Sequence, residues 1–194
     1  RGFYETTKRI FDIAGAIIIG IITLLISPFV VLAIEIAYPG PIFFKHLRVG
    51  KNGKIFILTK FRSLASNKSD KELRKPNEEE ITLVGKFLRK THIDELPQVW
   101  NILLGQMSFI GPLPEKPELV EKLSEEIPFY EMRLLIKPGL AGWAQLHNPN
   151  AGPTLKETVE KLQYDLYYLK NRSAFLDLTI ILKTLRILIS GTGK

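Results

Sequence analysis

Cysteine is absent from the 194 residues of this chain. Its absence excludes disulfide-stapled scaffolds, thiolate metal sites and cysteine nucleophiles, and nothing indicates an oxidising compartment. Histidine is scarce, and His46, His92 and His147 are not spaced as metal ligands. Covalent chemistry is therefore left to hydroxyl, carboxylate and amine side chains or to a single imidazole.

Acidic residues are in deficit, with 20 Asp and Glu against 27 Lys and Arg and a net charge of +7. This balance indicates a negatively charged partner: nucleic acid, an anionic membrane surface or a phosphorylated substrate. The glycine-rich phosphate loops GxxxxGK[ST] and GxGxxG are also missing, so any phosphate is bound by other means. The basic stretch 45–62 carries no signature of a DNA- or RNA-binding module, and nucleic acid is therefore not the expected partner.

Residues 13–34 form an apolar run without a single charge. Its 22 residues are long enough to cross a hydrocarbon core of roughly 30 Å. No small-residue cleavage site follows the run, so we expect it to stay with the protein rather than to be removed as a signal peptide. The sequence therefore predicts a membrane helix.

Ser27-Pro28 interrupts this run, and proline removes a helix hydrogen bond, so we expect a kink or break there. The uninterrupted part, residues 13–27, spans only about 22 Å. Basic residues flank the run on both sides, which places both ends on the cytoplasmic face. We therefore predict that residues 1–40 form a re-entrant helix that enters the membrane, bends at Ser27-Pro28 and returns. A spanning helix with a proline kink remains the alternative.

Residues 41–194 are predicted to form the cytosolic catalytic domain on the membrane face, making one functional domain with the helix. The pattern indicates an α+β, mostly helical fold: a small β-hairpin around Asn52-Gly53, a surface loop over residues 66–80 and short helices from Thr82 onward. Two helices are predicted at the end, 155–171 and 174–190. The last is apolar enough to lie at the headgroup level of a membrane, although a core helix fits the pattern equally well.

A tight polar constellation occupies residues 89–98. Pro97 is tolerated only in a first helical turn, so Asp94 and Glu95 should lie at a helix N-terminus. There the free N–H groups and the helix dipole stabilise anions and help to hold a phosphate. Adjacent carboxylates can act as nucleophile and metal ligand, while the alternative is that both merely cap the helix.

Several ordered segments together resemble the bacterial sugar transferases, which are monotopic polyprenyl-phosphate phosphoglycosyl transferases. The resemblance covers almost the whole chain, and the combination is far more specific than any one segment. The matching pieces are Lys8-Arg9 with Asp12, Ser27-Pro28, residues 39–50, residues 60–63, Arg89 followed by residues 94–98, residues 107–114, residues 137–145, and Tyr164-Asp165 with Tyr168.

This resemblance implies transfer of a sugar-1-phosphate from a UDP-sugar to undecaprenyl or another polyprenyl phosphate, with release of UMP. The reaction would begin exopolysaccharide, capsule or O-antigen assembly at the cytoplasmic face of the bacterial inner membrane, in contact with membrane lipids. By motif position Asp94 would form a phosphosugar-aspartyl intermediate and Glu95 would help to hold Mg²⁺. The substrate phosphates would meet Lys60, Arg62 and Arg89, the nucleotide would meet Gln145 and Asp165, and a homodimer stays open.

The sequence departs from the family pattern at three positions. Leu113 stands where the family usually has arginine between two prolines, Gln106 where an acid is usual, and His46 where glutamine is common. Leu113 matters most because it removes a fixed cation from the expected nucleotide site. The alternative function is therefore a catalytically impaired, membrane-associated homologue that acts as a scaffold in glycan assembly.

Overall fold

The computed structural model describes residues 2–64, 82–148 and 154–190. Helices dominate these residues and the strands are few, so the predicted α+β, mostly helical class is confirmed. The α-helices are α1 (Gly2–Ala37), α2 (Leu83–Lys90), α3 (Val99–Leu103), α4 (Pro117–Glu126), α5 (Trp143–His147), α6 (Leu155–Asn171) and α7 (Ala174–Ser190). The strands are β1 (Phe43–Val49), β2 (Ile55–Phe61), β3 (Ser108–Ile110) and β4 (Gly139–Ala141), and 3₁₀ turns cover Lys51–Gly53, Ile93–Gln98 and Tyr130–Leu135.

Helix α1 continues through Pro28, so the helix is not broken at Ser27-Pro28, while the predicted kink there stays a prediction. Proline has no N–H to donate to the carbonyl four residues earlier, which here belongs to Leu24. The Ser27 hydroxyl donates to that carbonyl oxygen instead, at 3.0 Å. The neighbouring side chain thus supplies the bond that proline deletes. The re-entrant path of the helix through a membrane stays a prediction.

One stripe of α1 is buried along almost its full length. Ala16 packs with Leu58 of β2 and Ile102 of α3, near the start of the stripe. Ile34, near its end, packs with Phe61 and Leu88. The buried positions recur at helical spacing and are Asp12, Ala16, Gly20, Thr23, Val30 and Ile34. Both halves of the helix therefore rest on the same folded body, while the opposite face is apolar and exposed.

The predicted β-hairpin is confirmed. Strands β1 and β2 pair antiparallel, from Phe43 opposite Phe61 to Val49 opposite Ile55. The connection passes through Asn52 at φ 56° and Gly53 at φ 75°, a left-handed conformation that asparagine and glycine tolerate best. The inner face of β2 packs on the 3₁₀ turn Ile93–Gln98, which brings the end of β2 to the acidic pair.

A second, parallel strand pair was not expected. Ser108 lies opposite Gly139 and Ile110 lies opposite Ala141, so β3 and β4 join two segments some thirty residues apart. The backbones approach closely here, since a Cβ on Gly139 would lie 2.1 Å from the Gly111 nitrogen. Strand β4 is followed directly by the short helix α5.

The two C-terminal helices are confirmed as α6 and α7, whereas the surface loop predicted over residues 66–80 lies outside the described residues. Ile180 of α7 is fully buried against the β3–β4 region. The other faces of α7 expose Phe175, Leu178 and Leu182. The helix is thus one-sided in its packing, and its position at a membrane surface stays a prediction.

Candidate active site

The acidic pair lies where the sequence predicts it, in the first turn of a helical segment. Asp94 and Glu95 occupy the start of the 3₁₀ turn Ile93–Gln98, which contains Pro97 and runs directly into α3. The chain enters this turn through His92, which adopts a left-handed backbone conformation at φ 55°. This residue changes the direction of the chain after α2. The element is a 3₁₀ turn rather than an α-helix, and it holds both carboxylates on a rigid support.

Asp94 is a buried carboxylate with only 7% of its surface exposed. Burial raises its pKa above the ordinary aspartate value, and the adjacent Glu95 raises it further. Lys60, Arg89 and His92 act in the opposite direction through their charges. A carboxylate poised between desolvation and nearby cations is typical of a functional group rather than of a helix cap.

Lys60 and Glu95 form an ion pair across the contact between β2 and the 3₁₀ turn. Their Nζ and Oε1 atoms are 2.6 Å apart, and the side chains retain 27% and 30% of their exposure. A pair this accessible contributes little to stability. Both groups therefore face outward beside Asp94, where an incoming phosphate can compete for the ammonium group.

Arg89, at the end of α2, is held in place by Ser63. Its Nε donates to the Ser63 hydroxyl oxygen at 2.9 Å. Helix α2 approaches this backbone so closely that a Cβ on Gly85 would lie 1.9 Å from the Ser63 carbonyl oxygen. Ser63 and Gly85 both position Arg89 toward the acidic pair. The sequence predicts no such role for either residue, and its only signal is that Ser63 belongs to the family-like segment 60–63.

Arg62 does not lie with the cations Lys60 and Arg89 beside the acidic pair. Its side chain is buried, and its guanidinium donates to the Tyr38 carbonyl and lies 5.7 Å from the centre of the Tyr38 ring. It thus fastens the connection between α1 and β1. Of the three cations assigned to substrate phosphate, the structure brings Lys60 and Arg89 to the acidic pair and turns Arg62 toward that connection.

Asp165 and Gln145, assigned to the nucleotide, lie in α6 and α5. The Asp165 carboxylate is buried and accepts from Arg133, with 2.9 Å between Nη2 and Oδ2. Arg133 also donates to the Tyr130 hydroxyl and to the Leu113 carbonyl. Asp165 is therefore committed to an internal ion pair, whereas the Gln145 Oε1 is buried without a hydrogen-bond partner in the described part of the chain.

The departures from the family pattern at Gln106 and Leu113 have local contacts. Gln106 accepts from the Asn101 amide at 2.7 Å, and Asn101 also donates to the Ile57 carbonyl of β2. An amide oxygen therefore does at Gln106 what a carboxylate oxygen would do there. At Leu113 only the carbonyl is engaged, by Arg133, and the position supplies no side-chain cation.

A metal could be held here only with help from other ligands. Within residues 2–64, 82–148 and 154–190, no three His, Asp or Glu side chains gather into a metal cage. Mg²⁺, however, is often bound by one or two carboxylates together with substrate phosphates and water. Asp94 and Glu95 are hard oxygen donors of that kind, so the donor set fits Mg²⁺ in the presence of a phosphate substrate.

Comparison with known proteins gives one family. The model of the family described as bacterial sugar transferase matches residues 3–191. The UDP-N-acetylgalactosamine-undecaprenyl-phosphate N-acetylgalactosaminephosphotransferase of Aeromonas hydrophila is 40% identical over 193 residues, covering 98% of this chain and 45% of that protein. The UDP-glucose:undecaprenyl-phosphate glucose-1-phosphate transferase of Escherichia coli K12 is 36% identical, covering 94% and 40%.

A shorter relative matches over most of its own length. The uncharacterized sugar transferase EpsL of Bacillus subtilis is 36% identical over 190 residues, covering 96% of this chain and 89% of that protein. The chain thus spans less than half the length of the Aeromonas and Escherichia relatives and nearly all of the Bacillus one.

Proposed function

Because this chain belongs to the bacterial sugar transferase family, we propose that it transfers a sugar-1-phosphate from a UDP-sugar to polyprenyl phosphate and releases UMP. The observation that carries the proposal is the buried Asp94 carboxylate, which lies beside Glu95 and within the field of two cations. The Aeromonas and Escherichia relatives are named for a UDP-sugar and undecaprenyl phosphate as their substrates. The region shared with them contains the whole acidic site.

In the first step, an Asp94 oxygen attacks the sugar-bearing phosphorus of the diphosphate. The new carboxylate–phosphorus bond forms as the bond to the UMP oxygen breaks, and UMP leaves with that electron pair. Attack of an anion on a dianionic diphosphate needs compensating positive charge. Lys60 and Arg89 supply it, and Ser63 keeps Arg89 in place during the approach.

In the second step, an oxygen of the polyprenyl phosphate attacks the same phosphorus. The bond between phosphorus and Asp94 breaks, which restores the carboxylate and leaves a lipid-linked diphosphate sugar. The burial of Asp94 protects the acyl phosphate from water between the two steps. Removal of UMP before the acceptor binds frees the charge of Lys60 and Arg89 for the lipid phosphate.

Glu95 would hold Mg²⁺ together with diphosphate oxygens. When bound, the metal neutralises charge on the phosphates and polarises the phosphorus. The Glu95 side chain is 30% exposed and is paired with Lys60. A metal at Glu95 would compete with this ion pair, and opening of the pair would free the Lys60 ammonium group for the incoming phosphate.

The proposal also places α1 in the bacterial inner membrane as a re-entrant helix, with the catalytic domain on the cytoplasmic face. By length and composition alone, α1 could cross a bilayer. A single crossing would leave its first residues on the side opposite to the domain. Yet Lys8 contacts Asp177 of α7 and Asp12 accepts from Ser108, while Ile34 packs with Phe61. Contacts from both halves with one folded body support entry and exit on the same face.

Transfer is tested by incubating the full chain in lipid nanodiscs with Mg²⁺, undecaprenyl phosphate and a panel of UDP-sugars, and by measuring UMP. At least one sugar should give UMP release that Asp94→Asn abolishes and that the exposed-acid control Glu121→Gln retains. No release with any sugar would contradict the proposal and favour the scaffold function. The panel also identifies the sugar with which exopolysaccharide, capsule or O-antigen assembly would begin.

A further inference from the structure

A second group of positive charges lies at the opposite end of the hairpin from the acidic pair. Arg9 of α1, Lys51 of the hairpin turn and Lys137 before β4 line one open cleft. Strand β2 leads from this turn to Lys60, and at about 3.4 Å per residue the separation is roughly 17 Å. The cleft is therefore distinct from the site that contains Asp94.

None of these three residues is in an ion pair with an acid in the part of the chain that the structure describes. Arg9 donates to the carbonyl oxygens of Ile102 and Leu103 at 2.6 and 2.8 Å, and these are dipoles rather than anions. In the described part of the chain, neither Lys51 nor Lys137 has a carboxylate within ion-pair distance. Three cations from three separate segments thus face one cleft without an ion-pair partner among the described residues.

The carboxylates of the same cleft already have partners. Glu5 pairs with Arg172, and Asp12 accepts from the Ser108 hydroxyl and from the Phe109 N–H. The remaining cation, Lys8, is 2.9 Å from Asp177. Asp12 has no cation in ion-pair contact among the described residues, so Arg9, Lys51 and Lys137 face this one carboxylate and the cleft keeps an excess of positive charge.

The neighbouring cations disfavour the charged form of Lys137. Burial lowers the pKa of Lys137, and the charges of Arg9 and Lys51 lower it further against the opposing effect of Asp12. A bound anion would relieve this repulsion, and an ammonium cluster with a guanidinium group is a suitable receptor for phosphate. A cleft in which three cations lie close together and face solvent is typical of an anion-binding site.

Exposed apolar side chains lie on the helix that carries Arg9 and on the helix that it meets. The Tyr4 hydroxyl donates to Asp177, so the first turns of α1 and α7 meet at the edge of the cleft. On these two helices Phe11 is 71% exposed and Phe175 is 80% exposed. The same part of the fold therefore combines an excess of positive charge with exposed apolar side chains, which matches the polarity of a phospholipid.

We propose that Arg9, Lys51 and Lys137 form a second phosphate-binding site, which takes the headgroup phosphate of an anionic phospholipid and fixes the catalytic domain at the membrane surface. The site takes no part in sugar transfer. Its test uses neither UDP-sugar nor polyprenyl phosphate, so it stands or falls independently of the proposed function.

Thermal unfolding of the full chain in a neutral detergent tests the site, because a ligand that binds the folded state raises the Tm with concentration. The titrants are phosphatidylglycerol, phosphatidylcholine and inorganic phosphate. The test variant is Lys51→Gln with Lys137→Gln, and the control is Lys54→Gln with Lys122→Gln, which removes two exposed lysines outside the cleft. Without titrant, the test variant should unfold at or above the Tm of the parent chain, since repulsion has been removed.

The expected result is an apparent phosphatidylglycerol affinity about tenfold weaker in the test variant, with a change below about twofold in the control. Phosphatidylcholine should bind weakly to all three proteins. If inorganic phosphate binds as tightly as phosphatidylglycerol and with the same lysine dependence, the phosphate site stands and its source is free phosphate. Equal phosphatidylglycerol affinities in the test and control variants, or no affinity in the parent chain, would overturn the site.

Discussion

Asp165→Asn is expected to destabilise the fold rather than to weaken nucleotide binding. Arg133 and Asp165 have side chains only 3% exposed, and the substitution leaves the guanidinium buried without its nearest counterion. Breaking such a pair costs about 3–5 kcal/mol. Glu115 remains at 3.8 Å from Arg133, so we expect the lower end of that range. For a chain of this length, about 3 kcal/mol corresponds to a fall in Tm of roughly 6–12 °C.

Thermal unfolding followed by circular dichroism in detergent measures this fall. Glu126→Gln is the control, since its partner Lys122 is exposed and 3.8 Å away, and its loss should change the Tm very little. Replacing both buried partners, with Arg133→Met and Asp165→Leu, should restore much of the stability because no charge is left unpaired. An Asp165→Asn protein with the parent Tm and a raised KM for the UDP-sugar would refute this reasoning and return Asp165 to the nucleotide site.

Three further predictions follow from the site and from α1. Lys60→Met removes a cation that lowers the pKa of Asp94, so the acid limb of the kcat/KM profile should move to higher pH, and an unmoved limb would remove Lys60 from the site. Leu113→Arg should tighten UDP-sugar binding about ten- to a hundredfold, since Arg133 is committed to Asp165; unchanged or weaker binding would show that no nucleotide contact is missing there. Single cysteines at positions 5 and 52 should both react with an impermeant reagent only from the cytoplasmic side, whereas labelling from opposite sides would establish a spanning helix.

Local sequence signals were sufficient for the hairpin, the terminal helices and the acidic turn. Asn52-Gly53 predicts the left-handed turn because few other residues tolerate that conformation. Pro97 fixes the place of Asp94 because proline belongs in a first turn. In each case the deciding interaction lies within a few residues of the signal.

Features that depend on distant parts of the chain were not predictable in this way. In α1 the Ser27 hydroxyl donates to the carbonyl that Pro28 cannot bond, and the expectation for a proline considered alone does not include this bond. The β3–β4 pair is three residues long and joins distant segments, so it leaves no periodic pattern. Arg62 lies one residue beyond β2, close to Lys60, yet its guanidinium turns to Tyr38, because tertiary packing decides the direction of a long side chain.

The central claim is that Asp94 carries the sugar phosphate between donor and acceptor. It is tested most directly by mixing the full chain with its UDP-sugar and Mg²⁺ in the absence of polyprenyl phosphate, and by following UMP and the mass of the peptide that contains Asp94. The account predicts a burst of UMP equal in amount to the enzyme, a peptide heavier by one sugar phosphate, and loss of both in Asp94→Asn. Release of UMP only after polyprenyl phosphate is added, with an unmodified peptide throughout, would contradict it.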